Sequence, residues 1–411
     1  MTSTRFAAAL LTASVLAGAS PAGAIGLTLP DGKSIDAVGE AMGNPAGFVV
    51  GYTRIVLSPT VAMTVRARQF TPDGKRAGKE LVFDTQAGGL FDPVAIPQGS
   101  GSKVTAFWMR PATTGIVARV GDTATGKLEA EKTFLAAATD RPAEANMDVV
   151  PLAGGKFALV TYRFELVGTT AYKRVAVTTI GPDLKVIAGP TYVPGPRASY
   201  VATGASDFTA VDVAGGGALV AYRNRADGNV YVVPVSATGV PAAAARRINQ
   251  QTMPIGSGGQ QAEAQVEAAR LQSGRIVVTW TRIGSTDRDD AFDVQYRVLS
   301  ANGVPVGKEM RAHASAKEEQ VAPEVVALSD GGFALSWINN GGPVEGRPRS
   351  YWVRSFGADG KPRAAAKMLF KGERGYEGNV SELTANGQGK LMLVRNFGIA
   401  PTTLEGILTA P

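Results

Sequence analysis

The chain has 411 residues, no cysteine and one histidine, and its 42 Lys and Arg exceed its 35 Asp and Glu by seven. Without cysteine there are no disulfides, thiol nucleophiles, iron–sulfur or Cys–zinc sites, and no lipid-modified N-terminal cysteine. The basic excess contains no run of five basic residues, which argues against nucleic-acid binding and describes a soluble basic surface that would favour acidic polymers at low salt.

Met1 to Ala24 reads as a secretory signal. Arg5 supplies the positive start, Phe6 to Ala17 is an apolar stretch too short to span a bilayer, and Ala22-Gly-Ala24 has the small residues of a cleavage site. The mature chain is expected to begin at Ile25 and to reside in the periplasm, outside the cell or on its surface. No later apolar run reaches 18 residues, so a membrane-spanning chain is not expected.

From Ile25 onward one unit repeats. Its second strand is the clearest marker: Gly47-Phe-Val-Val-Gly-Tyr52, Lys103-Val-Thr-Ala-Phe-Trp108, Phe157-Ala-Leu-Val-Thr-Tyr162, Ala218-Leu-Val-Ala-Tyr222, Ile276-Val-Val-Thr-Trp280, Phe333-Ala-Leu-Ser-Trp337 and Leu391-Met-Leu-Val394. Six copies end in Tyr or Trp and the seventh in Val394; a large ring at one position per unit is expected to fill the wedge between neighbours. The stretch Glu318 to Gly372 shows a whole unit. An apolar strand, Pro323 to Leu328, is followed by the turn Ser329-Asp-Gly-Gly332. Phe333 to Trp337, with large and small side chains alternating, predicts a strand with one packed face; Tyr351 to Phe356 is a third strand and Arg363 to Phe370 a fourth. Turns between third and fourth strands recur at Thr71-Pro-Asp-Gly74, Ala124-Thr-Gly126, Gly181-Pro-Asp-Leu184, Ala237-Thr-Gly239, Ala301-Asn-Gly303 and Ala358-Asp-Gly360.

Seven units of four short antiparallel strands predict an all-β, seven-bladed β-propeller as a single domain over 25–411. A multi-domain sandwich would need linkers that are absent, and β-helix repeats are shorter. Leu29-Pro-Asp-Gly32 precedes the first full unit, while the seventh unit stops soon after its third strand, Leu404 to Thr409. The two ends therefore predict one composite blade, with Ile25 to Ile35 supplying the outer part that the C-terminus lacks.

The connections on one face are short. On the other they are longer: Thr53 to Val61, Gly195 to Ser206, Asn249 to Ala262, Gly284 to Asp290 and Asn339 to Ser350. Variable loops on a rigid scaffold commonly carry function, so that face is the expected working surface. An arginine closely follows the second-strand marker in six units: Arg54, Arg110, Arg163, Arg223, Arg282 and Arg395. A ring of guanidinium groups would hold a carboxylate, sulfate or phosphate. The competing reading is cross-strand pairing of Arg110 with Asp92, Arg163 with Asp148 and Arg223 with Asp207. Arg54 has no evident partner, and Arg282 and Arg395 have only less definite ones, with Glu263 and Glu377 near the starts of their first strands, so these three are the stronger ligand candidates.

Asp287, Asp289 and Asp290 crowd one long loop and offer oxygen ligands to calcium, although the pattern lacks the glycine and distal glutamate of an EF-hand. Gly121-Asp-Thr-Ala-Thr-Gly-Lys127 copies most of a phosphate-binding loop but continues with Leu128 and sits in a predicted hairpin, so it is read as a turn. His313 lies in a polar stretch and is expected to be exposed; as the only histidine it excludes two-histidine metal sites, and no G-x-S-x-G accompanies it. Asp92, Asp148 and Asp207 are placed to face the central channel, where a pair of carboxylates would serve a glycosidase.

The run Pro323-Glu-Val-Val-Ala-Leu-Ser-Asp-Gly-Gly-Phe-Ala-Leu-Ser-Trp337, with Val353-Arg-Ser-Phe-Gly-Ala-Asp-Gly360, resembles the blade repeat of secreted bacterial β-propeller proteins. The resemblance is one of scaffold. It lacks the S-x-D-x-G-x-x-W motif of sialidases and the Trp-Asp pair of WD repeats. The expected function is a non-enzymatic, exported binding protein whose long-loop face engages a surface polysaccharide or an envelope protein, without a cofactor. The alternative is a carbohydrate-active enzyme, a lyase or a hydrolase, using channel carboxylates.

Overall fold

Seven antiparallel sheets of four strands stand around a central axis in the computed structural model, and a two-residue strand, Ala198–Ser199, adds to the third. The structure describes residues 24–27, 34–56, 62–86, 91–110, 115–134, 142–167, 170–195, 198–199, 208–224, 227–251, 265–283, 292–314, 319–339, 349–371, 381–397 and 403–411. The chain is a seven-bladed β-propeller. Each blade is built outward from the axis. The inner strands are Ser34–Asn44, Phe91–Pro97, Pro142–Leu152, Phe208–Asp212, Val266–Arg270, Gln320–Ala327 and Ser381–Ala385. Among the described residues no helix is long and apolar enough to cross a membrane.

The second strands are buried on both faces rather than one. In Phe333–Asn339, Phe333, Leu335 and Trp337 enter the wedge shared with blade five, while Ala334 and Ile338 enter the wedge shared with blade seven. Large residues face the preceding blade and mostly smaller ones the following blade, which is the physical meaning of the alternation in the sequence. Trp108, Trp280, Trp337, Tyr52 and Tyr222 all turn toward the preceding blade in this way. Burying one such ring contributes roughly 1.5–3 kcal/mol.

The hairpin registers correct two marker assignments. In blade seven the hairpin base is Ala385↔Leu391, as Ala327↔Phe333 is in blade six, so Arg395 and not Val394 occupies the position of Trp337. Arg395 is fully buried, and its guanidinium lies 3.3 Å from the centroid of the Phe370 ring of blade six and 5.9 Å from that of Tyr351. In blade three the base pair Pro151↔Phe157 puts Thr161 at the wedge position. Tyr162 points the other way and meets Phe208 of blade four edge-on at 4.7 Å.

The ring closes in blade seven, where Ala24–Gly26 forms the outer strand against Thr403–Thr409, pairing Ala24↔Ile407, Ile25↔Gly406 and Gly26↔Glu405. Leu27 is buried and its N–H donates to Leu404 O at 2.9 Å. The composite blade is thus present with a shorter N-terminal share than Ile25 to Ile35, because Ile35 belongs to the inner strand of blade one.

A repeated arginine ties blades to one another. Arg119, Arg297 and Arg354 each stand on a third strand, across from the residue two after the hairpin base. Each donates Nε to a carbonyl of its own blade's outer edge (Glu129, Gly307 and Ala364) and Nη1 to a carbonyl at the outer edge of the preceding blade (Phe83, Ile248 and Ala312). The planar five-donor fork suits one side chain to two acceptors that the strand ladders leave unused.

Candidate functional site in the central channel

A fixed place on the inner strand, three residues before the hairpin base, carries an acid in five blades. Glu40 pairs with Gly51, Asp148 with Val160, Glu267 with Thr279, Glu324 with Ser336 and Glu382 with Val394. Blade four has Thr209 there and blade two Val94. Because the position repeats around the axis, the five carboxyls form a ring in the channel. They border a cavity of about 610 Å³ to which the inner strands of all seven blades contribute, and whose lining extends from the carboxyl row to the bases of the short hairpins. Among the described residues no Lys, Arg or His lines it.

Each carboxyl keeps some access to solvent through the channel, yet is surrounded by protein. Burial first, and then repulsion from the other ring members, holds Glu40, Glu267 and Glu324 well above the ordinary glutamate range. Burial also raises Asp148, but here hydrogen bonds to the carboxylate oppose it. Asp148 Oδ2 accepts from Ala210 N at 2.7 Å and from Thr209 Oγ1 at 3.1 Å. Thr209 also favours the charged form of Glu267, though less than burial and repulsion disfavour it, so Asp148 of blade three and Glu267 of blade five stand on either side of Thr209 of blade four. Asp148, with its donors, is better equipped to carry charge than Glu40, Glu267 and Glu324, which are better equipped to hold protons. Among the described residues no three His, Cys, Asp or Glu side chains come close enough to hold one metal ion.

None of the six arginines singled out by sequence lines this cavity. Arg54 donates Nε and Nη2 to Asp36 at 2.7 and 2.8 Å, a partner that sequence reasoning did not find. Arg110 binds Asp84 of blade one at 2.7 Å and both oxygens of Glu131 at 2.6 Å. Arg163 is buried opposite Arg174 and is not the partner of Asp148, whose carboxylate turns to blade four. Arg223 is buried, with Nε 3.2 Å from Gly228 O. Arg282 is half-buried opposite Asp293, and Arg395 fills a blade wedge. The side chain of Asp92, and Asp207, Glu263, Glu377, Asp287, Asp289 and Asp290, lie outside the described residues.

His313 is buried rather than exposed, its Nε2 3.2 Å from Asp293 Oδ1. Burial pushes Asp293 up, but the hydrogen bond with His313 and the charges of Arg311 and Arg282 outweigh it and bring the carboxyl below its usual range. The stretch Gly121 to Lys127 is a hairpin turn, with Asp122 N donating to Lys127 O and Gly126 N to Asp122 O.

Of the channel acids, sequence reasoning named Asp148 and missed Glu40, Glu267, Glu324 and Glu382. A signal was available: Glu267, Glu324 and Glu382 share one offset from the turn glycines Gly274, Gly331 and Gly389, inside otherwise apolar or small-residue strands.

The sequence matches no family model and no curated protein. Solved structures of similar shape include a protein of unknown function from Dyadobacter fermentans, 10% identical with TM-score 0.48, covering 94% of this chain and 98% of its own. A GH93 α-L-arabinofuranosidase from Fusarium graminearum is 9% identical, with TM-score 0.46, covering 77% of this chain and 91% of its own. A Hadza microbial sialidase is 10% identical, with TM-score 0.43, covering 84% and 73%. At these identities the likeness is one of fold.

Proposed function

We propose that the protein is an exported carbohydrate-active enzyme, a glycoside hydrolase, that performs acid–base chemistry in its central channel. The observation that carries this reading is the graded carboxyl ring. A hydrolase needs one carboxyl that holds a proton and a neighbour that holds charge, and environments that push two acids apart supply that pair. Asp148, with its two donors, takes the charged role. Glu267, across blade four from it and held above the glutamate range by burial and repulsion, takes the protonated role. In the reaction Glu267 gives its proton to the departing glycosidic oxygen as the bond to the anomeric carbon breaks. Asp148 takes a proton from the water that adds to that carbon.

A cavity of about 610 Å³ suits the end of a sugar chain rather than a polymer laid across a groove. An acid-rich lining without a cation disfavours uronate or sulfated sugars and thereby a lyase acting on uronates, which needs the substrate carboxylate neutralised. The alternative, a binding protein that engages a surface polysaccharide or envelope protein through its long-loop face, draws on arginines most of which are engaged within the protein, so the channel carries more of the argument.

The test is product analysis after incubating the chain from Ile25 with neutral, amine-bearing and uronate oligosaccharides. Release of small sugars from neutral or amine-bearing chains is expected, with Asp148→Asn and Glu267→Gln each lowering the rate by about 10²–10⁴-fold. Absence of product from every class, with a folded protein, would refute the enzyme reading.

A further inference from the structure

Thr209 breaks the acid pattern of the ring. It stands opposite Ala221 on the inner strand of blade four, at the place where Asp148 stands opposite Val160 in blade three and Glu267 opposite Thr279 in blade five. Thr209 is buried, and its Oγ1 lies 3.1 Å from Asp148 Oδ2. The next residue on the same strand, Ala210, donates its N–H to that same oxygen at 2.7 Å. A carboxylate oxygen offers two lone pairs, so these two donors occupy Oδ2. A proton taken up by Asp148 therefore arrives at Oδ1.

The two donors differ in what else they can do. A hydroxyl has one hydrogen, so what Thr209 gives to one carboxyl it withholds from another, and it favours the charged form of Glu267 as well as that of Asp148. A backbone N–H can only donate, and that of Ala210 goes to Asp148. One short stretch of blade four thus tips the balance between its two acidic neighbours toward Asp148. Another carboxyl at position 209 would repel both of them. Valine, which blade two carries at this place as Val94, would fill the space without offering a donor.

We propose that Thr209 is a positioning residue, whose hydroxyl joins the Ala210 N–H in keeping Asp148 the anion of the channel and leaves Oδ1 as the oxygen that accepts a proton. Its part in turnover rests on the hydrolase reading; its hold on Asp148 does not. The other charged groups at this level of the channel are the carboxyls of Glu40, Glu267, Glu324 and Glu382. Among the described residues no cation lines the cavity to share the task. On the strands packed against Asp148, Val160, Thr209 and Ala210 are neutral, and its own strand adds the N–H of Val149, which also favours the charged form.

The test follows the aspartate carboxyls of the chain from Ile25 by NMR with isotopic labelling, as a function of pH, with the Asp148 signal identified by its loss in Asp148→Asn. Thr209→Val keeps the shape and removes the hydroxyl, and the titration midpoint of Asp148 should rise by at least about one pH unit, the effect of losing one donor to a carboxylate. Thr209→Ala, which removes the hydroxyl without filling its space, should give a rise in the same direction. Thr209→Ser keeps a hydroxyl and should return the midpoint most of the way to that of the parent. Where a sugar is turned over, the acidic limb of kcat/KM should move with the Asp148 midpoint, lowering the rate about tenfold at a pH below both. An Asp148 that titrates in Thr209→Val as it does in the parent overturns the proposal. So does a rise that serine leaves in place, since packing and not the hydroxyl would then be its cause. The expected rise without release of sugar from any oligosaccharide upholds the hold on Asp148 and refutes the hydrolase reading alone.

Discussion

Replacing Arg395 by alanine separates two accounts of that residue. If its guanidinium is a ligand group on the long-loop face, the variant keeps its stability and loses binding. The structure instead buries Arg395 completely, with the charge 3.3 Å from the Phe370 ring centroid. A desolvated cation–π contact is worth about 2 kcal/mol. Removal of a side chain that fills a blade wedge adds a cavity cost, and the sum comes to roughly 4 kcal/mol by comparison with large-to-small core changes. With an unfolding entropy near 2.1 cal/mol/K per residue over roughly 390 residues, this lowers the thermal midpoint by about 5 °C. Calorimetry on the chain from Ile25 reads the shift directly. Arg395→Trp, which installs the ring that blades five and six carry at this place, should recover part of the loss. A midpoint within 1 °C of the parent for Arg395→Ala would refute the register that puts Arg395 beside Trp337, and with it the wedge role.

Trp337→Ala empties the wedge between blades five and six and is expected to cost about 3–5 kcal/mol, read from the urea midpoint. Arg354→Met removes the donors to Ala364 O and Ala312 O; a loss of about 2 kcal/mol is expected, and it should add to that of Arg297→Met because the two latches serve different wedges. Gly39→Ala would put a methyl 2.2 Å from Pro93 O, where the inner strands of blades one and two nearly touch; a destabilisation of about 1–3 kcal/mol is expected in the same urea titration.

The fold was legible because its grammar is local. The Asp-Gly and Asn-Gly turns fix the hairpins, and the apolar second strands fix the period. Where the reading slipped, it slipped by register. A strand ending Leu-Val-Arg looks as though it stops at Val394, since an arginine in a blade wedge is rare among core residues. Only the pairing Ala385↔Leu391 shows that Arg395 fills the ring's place. In blade one the pairing Asp36↔Arg54 likewise appears only in the register, and the strand holding Asp36 begins at Ser34, which takes Ile35 into blade one. A pattern search that counts back from the turn glycine, rather than forward from the aromatic, would have recovered these positions.

The channel acids were harder to see for a different reason. An isolated glutamate in an apolar strand reads as a solvated edge residue, and only the comparison of units, with Glu267, Glu324 and Glu382 at one offset from their turn glycines, says otherwise. Their meaning arises only when the ring closes and carboxyls separated by scores of residues share one channel. Purely structural packing would favour Val or Thr there, as blades two and four have in Val94 and Thr209. Burial and repulsion make five acids a cost to the closed ring at neutral pH. The expense recurs in five blades, and among the described residues no cation lines the cavity to offset it. Selection for stability would remove such a ring one residue at a time, because each Glu→Gln change would relieve repulsion. The proposed hydrolase site would account for keeping a well-donated aspartate near proton-holding glutamates in spite of that burden on the fold.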